Sequence, residues 1–128
     1  MLCLAMICKD EAKVIERCLR SSLPWVDCVA IVDTGSTDDT QAAYERAVDP
    51  KPYGGCFVHR DWVNFAHNRN EALELARRVL CDSLGYKHYE ELPDDAHILV
   101  LDADEVLEAE PDANLSLVAD AHVLPITL

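Results

Sequence analysis

The chain has 128 residues, a length that suits one domain with one hydrophobic core. Half of the residues are hydrophobic and 27% are charged, which is typical of a soluble globular protein rather than a disordered one. Acidic residues outnumber basic ones 24 to 11, giving a formal charge of −13. This balance argues against nucleic acid or an anionic membrane as a partner. It also means that a phosphorylated ligand would usually need a divalent cation between itself and the protein.

The cysteines and the chain ends predict the cellular context. Six cysteines form no CxxC pair and lie mostly in apolar runs, so we expect reduced core thiols. Residues 1–8 are too short an apolar stretch for a signal peptide and lack a basic leader, and no run reaches the length of a membrane span. We therefore expect a cytoplasmic or cytoplasm-facing protein. The apolar ending, residues 123–128, suggests that residues 1–128 are the front part of something longer.

Four short apolar runs alternate with stretches of helical period. The runs predict buried strands at Leu2–Cys8, Cys28–Val32, Cys56–His59 and Ile98–Leu101. Between them, helices are predicted from Glu11 to Leu23 with Pro24 as the stop, along Thr40, Ala43, Tyr44, Ala47 and Val48, and along Phe65, Ala72, Leu73, Ala76 and Leu80. Residues 81–96 are predicted to form a polar loop, and a weak helix at Asn114–Ala119 precedes a last strand at His122–Ile126.

This order of elements predicts the fold class. Strands that alternate with helices are typical of right-handed crossovers and a mainly parallel sheet. Strands with continuous rather than alternating apolar residues are covered on both faces. We therefore predict an α/β domain with a mainly parallel sheet and helices on both of its faces.

Polar residues gather directly after each predicted strand. Ligands of open parallel sheets bind outside the carboxyl ends of the strands, so these residues are expected at one edge. The groups are Lys9–Glu11, Asp33–Asp39, Arg60–Trp62 with His67–Asn70 on the next helix, and Asp102–Glu105. One such group would mean little, but four at the same edge predict a ligand site.

Asp102 and Asp104 suggest the most specific chemistry. If the chain is still extended there, the two carboxylates point to one side and Ala103 to the other. Two such carboxylates repel each other unless a cation or a donor lies between them, and their oxygens suit magnesium, manganese or calcium. The alternative is a solvated acidic strand end, which the convergence of the other groups disfavours.

Two further positions are candidates for ligand contacts. Asp33 precedes a turn in which Gly35 permits tight geometry, and its acceptor-only carboxylate suits an N–H of a base or a ribose hydroxyl. Ordinary helix capping by Ser36, Thr37 or Asp38 is expected there as well. Arg69 could pair with a diphosphate or a carboxylate, or be a surface arginine.

The remaining histidines and tryptophans are assigned no ligand role. The five histidines show no metal-ligand spacing and are expected to be structural or surface groups. Trp62 is expected in the core or at its rim, although it lies at the edge where a stacking platform could form.

These motifs resemble those of the family 2 glycosyltransferases, in particular a bacterial subgroup with four ordered signatures. Its K-N/D-E motif corresponds to Lys9-Asp10-Glu11, its D-T-G-S-T-D to Asp33–Asp38, its F-x-x-x-R-N to Phe65–Asn70 and its L-D-A-D-E to Leu101–Glu105. The match covers nearly the whole chain, and the ordered set is more specific than any one motif. Asp10 departs from the common asparagine, and the polar insert at 81–96 is unusually long.

The resemblance implies a Rossmann-like GT-A fold, truncated on its C-terminal side, that binds a nucleoside-diphosphate sugar with Mn²⁺ or Mg²⁺. A UDP-sugar is favoured, and the acceptor is a glycan, a lipid or a protein. The implied donor-binding residues are Ile7, Lys9, Glu11, Asp33, Gly35, Ser36, Asp38, Arg69 and Asp102, with Asp102 and Asp104 as metal ligands. Transfer with inversion, by a carboxylate base located after Leu128, is also implied.

Three alternatives compete with this interpretation. Asp33-Thr34-Gly35-Ser36 is similar to the aspartic protease motif, but that fold is all-β. Asp102 and Asp104 are similar to the nucleophile and the acid–base of haloacid dehalogenase-type phosphatases, whose motif usually ends the first strand. The third alternative is a chain that binds the donor and transfers nothing, because the acceptor half is missing.

Overall fold

The computed structural model describes residues 1–49 and 54–109. These residues form, in chain order, β1 (Leu2–Cys8), α1 (Ile15–Ser22), β2 (Cys28–Asp33), α2 (Thr40–Val48), β3 (Gly54–His59), α3 (Phe65–Leu84), a 3-10 helix (Tyr89–Glu91) and β4 (His97–Val100). The predicted helix at 114–119 and strand at 122–126 lie outside the described residues.

The four strands form a parallel sheet in the order β3-β2-β1-β4. The register pairs Cys8 of β1 with Asp33 of β2, and Asp33 with His59 of β3. Ala5 of β1 pairs with Val100 at the end of β4. All four carboxyl ends therefore lie at one edge, as the sequence predicts.

Helices cover both faces of the sheet, which confirms the predicted fold class. Leu4 and Met6 of β1 pack with α1 and α2, whereas Cys3 and Ala5 of the same strand pack with α3. Burial on both faces explains why β1 and β2 are continuously apolar. A fully buried leucine or methionine side chain contributes about 1.5–3 kcal/mol to stability, so this double layer fixes the position of the strand ends.

Some predicted boundaries and burials are wrong. α1 begins at Ile15 rather than Glu11, because the loop before it is held by another turn: the Asp10 amide donates to Ser36 and the Glu11 amide donates to Thr40. α3 runs to Leu84 and is capped by the left-handed Gly85, so residues 81–96 include a helix end and the 3-10 helix. The polarity of this segment reflects exposure rather than absence of helix.

Burial also differs from prediction at two elements. Phe65, expected on the buried face of its helix, is 59% exposed, because it is the first residue of α3 and lies at the sheet edge. β4 is only partly buried and ends at Val100, one residue earlier than predicted. It is an outer strand of the four described, which leaves Val100 43% exposed.

All six cysteines are free, and five of them are buried, which agrees with the core position expected from the sequence. No helix within residues 1–49 and 54–109 is long and apolar enough to cross a membrane.

Candidate functional site

Asp33 is the buried centre of the turn after β2. Its side chain is 1% exposed, and Oδ1 accepts the backbone N–H groups of Gly35 and Ser36, both at 2.9 Å. The Cys8 thiol points at Oδ2 from 3.8 Å. Gly35 adopts φ +111°, which a residue with a side chain rarely does. The carboxylate therefore holds the turn in shape, a structural role that accompanies the predicted ligand role.

The environment of Asp33 keeps it ionised. Burial by itself raises the pKa of this carboxyl. Hydrogen bonds from the hydroxyl and amide of Ser36 and from the amide of Gly35 lower the pKa and together outweigh burial. His59, whose Nδ1 lies 3.5 Å from Oδ1, acts in the same direction. The net pKa is below the ordinary value for aspartate. At neutral pH the group is thus an anionic acceptor.

The loops after β1 and β2 are joined by reciprocal hydrogen bonds. The Asp10 amide donates to Ser36 Oγ at 2.8 Å, and the Thr37 amide donates to Asp10 Oδ1 at 2.7 Å. Asp10 has φ +53°, a left-handed conformation that aspartate and asparagine tolerate best. Aspartate therefore meets the backbone requirement at a position where asparagine is more common.

Asp38 completes this junction and accepts the first backbone amide of α2. Its Oδ1 accepts the Thr40 amide at 3.1 Å and also contacts the Thr40 hydroxyl, while its Oδ2 accepts the Ala12 amide at 3.2 Å. The Thr40 hydroxyl in turn accepts the Glu11 amide N–H at 2.9 Å. The N-cap residue of α2 is Asp39, whose side chain makes no capping bond, so the predicted capping by Ser36, Thr37 or Asp38 is replaced by the Asp38 contact to Thr40, and Glu11 is held beside the turn.

A group of carboxylates surrounds Glu11. Burial raises its pKa first, followed by the charges of Asp104, Asp38, Asp102 and Asp10. Asp102 and Asp104 are exposed and Ala103 is 3% exposed, but they lie in a turn closed by the Glu105 amide on the Asp102 carbonyl rather than in the extended chain that the predicted alternation requires. Excess negative charge in one place favours a bound cation.

The turn that carries Asp102 and Asp104 is anchored on α1. The Asp102 carbonyl lies 3.5 Å from the Cys18 thiol, and the Asp104 carbonyl accepts Arg17 Nη2 at 3.4 Å. Glu105 closes the turn, since its side chain accepts the Asp102 amide at 2.7 Å. The backbone that carries both carboxylates is therefore fixed by contacts to α1 and to Glu105.

Arg69 reaches from α3 to Asp102. Its Nη2 lies 3.0 Å from Asp102 Oδ1, and its side chain is only 17% exposed, so it is not an ordinary surface arginine. Its Nη1 is buried and has no hydrogen-bond partner among the described residues. A buried donor without a partner is costly unless a ligand accepts from it. This nitrogen is suited to an anionic group.

The remaining predicted residues lie at the same edge. Ile7 is partly buried near the end of β1, on the α3 side, and Lys9 is exposed directly after that strand. The structure thus brings Glu11, Asp33, Gly35, Ser36 and Asp38 into one junction, and places Arg69 against Asp102. It leaves the predicted ligand contacts themselves as predictions.

Sequence reasoning assigned no role to four residues that make contacts at this edge: His59, Gln41, Asn68 and Glu71. His59 bridges Asp33 and Gln41, whose Oε1 lies 3.1 Å from Nε2. Asn68 is fully buried and bonded to Glu71 at 2.8 Å. The signal for Asn68 was available: it lies four residues before Ala72 and so on the buried face of α3.

Two carboxylates, those of Asp102 and Asp104, are the candidates for holding a metal ion. Within the described residues, no group of three or more His, Cys, Asp or Glu side chains is arranged to hold a metal ion. Magnesium-type ions, however, typically take one or two carboxylates and complete their shell with phosphate oxygens and water. Asp102 and Asp104 fit that pattern, with Arg69 Nη1 free for an anion beside them.

The profile of the glycosyl transferase family 2 matches residues 3–118. The chain belongs to this family. A relative, the TPR repeat-containing protein Synpcc7942_0270 of Synechococcus elongatus, is 36% identical over 108 residues, which are 84% of this chain and 21% of that protein. Family membership confirms the resemblance and, with the parallel sheet, agrees with the implied GT-A fold.

Solved structures also match this chain. The crystal structure of M. tuberculosis glucosyl-3-phosphoglycerate synthase matches with a TM-score of 0.47 and 19% identity, over 83% of this chain and 35% of that one. The same enzyme in complex with Mn²⁺, UDP-glucose and phosphoglyceric acid gives 0.45 and 19%, over 80% and 33%. The chain thus spans about a third of these proteins and about a fifth of the curated relative.

The structure argues against the aspartic protease alternative. Asp33 ends a parallel strand and leads into α2, whereas that alternative requires an all-β chain. The phosphatase alternative accounts only for the turn after β4, while the family match spans the turns after all four strands.

Proposed function

We propose that the protein is a metal-dependent glycosyltransferase that takes a sugar from a nucleoside-diphosphate sugar, with a UDP-sugar favoured. One observation supports this proposal most strongly. In a family 2 chain, the ionised Asp33, the turn that carries Asp102 and Asp104, and Arg69 with its unpartnered Nη1 all lie at one edge of the sheet. The acceptor is proposed to be a glycan, a lipid or a protein, and transfer to invert the anomeric centre.

Each part of the edge has a chemical role in this proposal. Asp33 accepts an N–H of the base from the β2 turn, and the segment from Ile7 to Glu11, with Gly35, Ser36 and Asp38, forms the pocket wall. Asp102 and Asp104 would hold Mn²⁺ or Mg²⁺, and Arg69 Nη1 would donate to the diphosphate. The bound ion would offset the charge of the diphosphate as the sugar–phosphate bond breaks.

The base that deprotonates the acceptor is not among these residues. We propose that it lies in an acceptor-binding part beyond residues 1–128, because the chain spans only a fraction of its relatives. The same observation favours a second possibility for residues 1–128, namely donor binding without turnover. The six free thiols fit a reducing compartment, so we propose a cytoplasmic location.

Thermal unfolding with a panel of nucleoside diphosphates, with and without Mn²⁺, tests donor binding. A ligand at about a hundred times its dissociation constant adds about 2.7 kcal/mol to stability and raises Tm by several degrees. We expect this rise to need both nucleotide and metal and to disappear in Asp104→Ala. Glu108→Ala removes an exposed acid a few residues further on and is the matched control. A metal-independent rise, or one retained in Asp104→Ala, would contradict the proposed site.

A transfer assay separates the two possibilities for the chain. Donor binding without sugar transfer by residues 1–128 would support a base located downstream. Robust turnover by these residues alone would show that this location is wrong.

A further inference from the structure

The loop between β3 and α3 presents a cluster of exposed apolar side chains. Trp62, Val63 and Phe65 are 54%, 55% and 59% exposed, although they belong to an acidic protein with abundant polar residues. Apolar side chains grouped on a surface usually mark a place where something binds. We call residues 60–65 the β3–α3 loop.

The backbone of the β3–α3 loop is held in one conformation by Asn68 of α3. The side chain of Asn68 is fully buried, and its Oδ1 accepts the Val63 amide at 3.0 Å. Its Nδ2 donates to the Asp61 carbonyl at 2.9 Å and to Glu71 Oε1 at 2.8 Å. A buried amide with partners on both ends fixes the backbone around it. The exposed side chains therefore stand on a rigid support rather than on a loose loop.

Both ends of the loop are tied to the candidate donor site. At its start, the Arg60 amide donates to the Asp33 carbonyl at 2.9 Å. At its end, the Phe65 ring lies 5.1 Å from the guanidinium of Arg69, which is itself paired with Asp102. The apolar cluster thus belongs to the same edge as Asp33 and Asp102.

The two arginines beside the cluster each lie close to a carboxylate. Arg60 Nε lies 3.5 Å from Glu71 Oε2, and Arg69 Nη2 lies 3.0 Å from Asp102. Contacts of the cluster itself therefore come from its rings and its aliphatic side chain. This favours an occupant with an uncharged, flat face.

The size of the cluster favours a small occupant over a protein. Three half-exposed apolar side chains offer on the order of 300 Å², whereas a stable protein interface needs about 800 Å² on each side. A nucleobase is planar, uncharged and small, and stacking on aromatic rings is a general mode of base binding.

We propose that the β3–α3 loop is a preformed wall of the nucleotide site, on which the donor's nucleobase stacks against Trp62. Asn68 is the positioning residue that holds this wall in place. The inference rests on the proposed function, since it specifies how the donor of that reaction is recognised. It also gives Trp62 the stacking role that the sequence allowed beside the expected core or rim position.

Calorimetric titration with two classes of probe tests this proposal. Mn²⁺ with UDP, CDP, GDP or ADP reports the base, and Mn²⁺ with inorganic pyrophosphate reports the phosphates alone. We expect Trp62→Ala to weaken binding of the preferred nucleoside diphosphate by about fivefold to a hundredfold, the range that base–aromatic stacking contributes to affinity. Pyrophosphate binding should not change. Trp62→Phe should retain most of the affinity, and Tyr86→Ala, which removes an exposed aromatic ring just past the far end of α3, is the matched control.

Asn68 is tested with a spectroscopic readout. Trp25→Phe leaves Trp62 as the sole tryptophan of the chain, and we expect its fluorescence to change with nucleotide but not with pyrophosphate. Adding Asn68→Asp removes both amide donations and places a negative charge beside Glu71. We expect lower anisotropy of Trp62 and weaker nucleotide binding, with pyrophosphate binding retained. A role in stability alone would lower Tm and leave the ratio of the two affinities unchanged, which would contradict positioning.

The outcomes distinguish this inference from the proposed function. If Trp62→Ala leaves nucleotide affinity unchanged, or weakens nucleotide and pyrophosphate equally, the stacking proposal is wrong while the donor site stands. If it weakens a UDP-sugar but not UDP, the wall contacts a sugar ring instead of the base. If the wild type binds neither class of probe, both proposals are wrong.

Discussion

Arg69 and Asp102 form an ion pair whose two members are unequally buried. Arg69 Nη2 lies 3.0 Å from Asp102 Oδ1, while the arginine side chain is 17% exposed and the aspartate side chain 55%. The second terminal nitrogen of the arginine, Nη1, is buried without a partner among the described residues. Removing the exposed partner would leave a buried charge, whereas removing the buried partner would leave an exposed one.

This asymmetry predicts different effects of the two substitutions on stability. Asp102→Ala leaves the guanidinium buried without its carboxylate and should lower the free energy of unfolding by about 1–3 kcal/mol. Arg69→Met removes that charge and fills its space, so we expect a change within about 1 kcal/mol. Urea unfolding measures both, and Arg20→Met, in an exposed pair with Glu16, is a control expected to change little. Equal losses for the two variants would contradict the argument.

Asp33 should make stability depend on pH in the acid range. Its pKa is below the ordinary aspartate value near 3.9, so its contribution is complete above that value and is lost as pH falls through the lowered pKa. Asp33→Asn should therefore cost about 1–3 kcal/mol at pH 7, and the difference from wild type should shrink below about pH 4. Urea unfolding at a series of pH values measures this difference. If the difference in unfolding free energy between wild type and Asp33→Asn stays constant as pH falls below about 4, the charge of Asp33 contributes nothing to stability.

Much of this fold could be predicted because its strands have a simple signature. The continuous apolar runs from Leu2 and Cys28 identify strands covered on both faces, and the parallel order then places their carboxyl ends together. The ion pair between Arg69 and Asp102 is one of the two pairings predicted for this arginine from the sequence. These features depend on local patterns and on rules that hold for parallel sheets in general.

Other features depend on contacts distant in the sequence. Asn68 is polar on an otherwise apolar helical face, and only the path of the β3–α3 loop shows what it bonds to. Phe65 fits the helical period yet lies at the exposed start of α3. α1 begins four residues late because the loop at Asp10 and Glu11 is held by Ser36 and Thr40 of another turn. No periodicity in either segment encodes these pairings.

The thiols should react in an order set by burial. Burial, followed by the charges of Glu105 and Asp104, raises the pKa of Cys18 to about 12. Burial and the adjacent Asp33 raise the pKa of Cys8. Cys56 is the one cysteine of the six that is partly exposed. We expect a maleimide or an aromatic disulfide reagent to label Cys56 first in the native protein, as located by mass spectrometry, and the others only on unfolding. Early labelling of Cys18 would show that the turn after β4 opens readily.

Gly55 should be the glycine whose replacement disturbs the sheet most. A Cβ at this position would lie 2.6 Å from Val29 Cγ2 and 2.8 Å from the Val29 carbonyl oxygen. Because the carbonyl belongs to the neighbouring strand, Gly55→Ala must push β3 away from β2 and should cost about 1–3 kcal/mol. The shift would also displace His59 and the start of the β3–α3 loop, so nucleotide affinity should fall together with stability.

Gly85→Ala separates this steric effect from backbone strain. Gly85 has φ +78° with no atom within 4 Å of an added Cβ, so only the left-handed conformation is penalised, by about 1 kcal/mol. Gly85→Asn should recover part of that loss, because asparagine tolerates this conformation, whereas no small substitution should rescue Gly55. Urea midpoints give the order of stability, and titration with Mn²⁺ and nucleotide gives affinity. If Gly55→Ala lowers stability while the affinity stays intact, β3 can move without carrying His59 and the β3–α3 loop with it, and the coupling between this strand and the site is wrong.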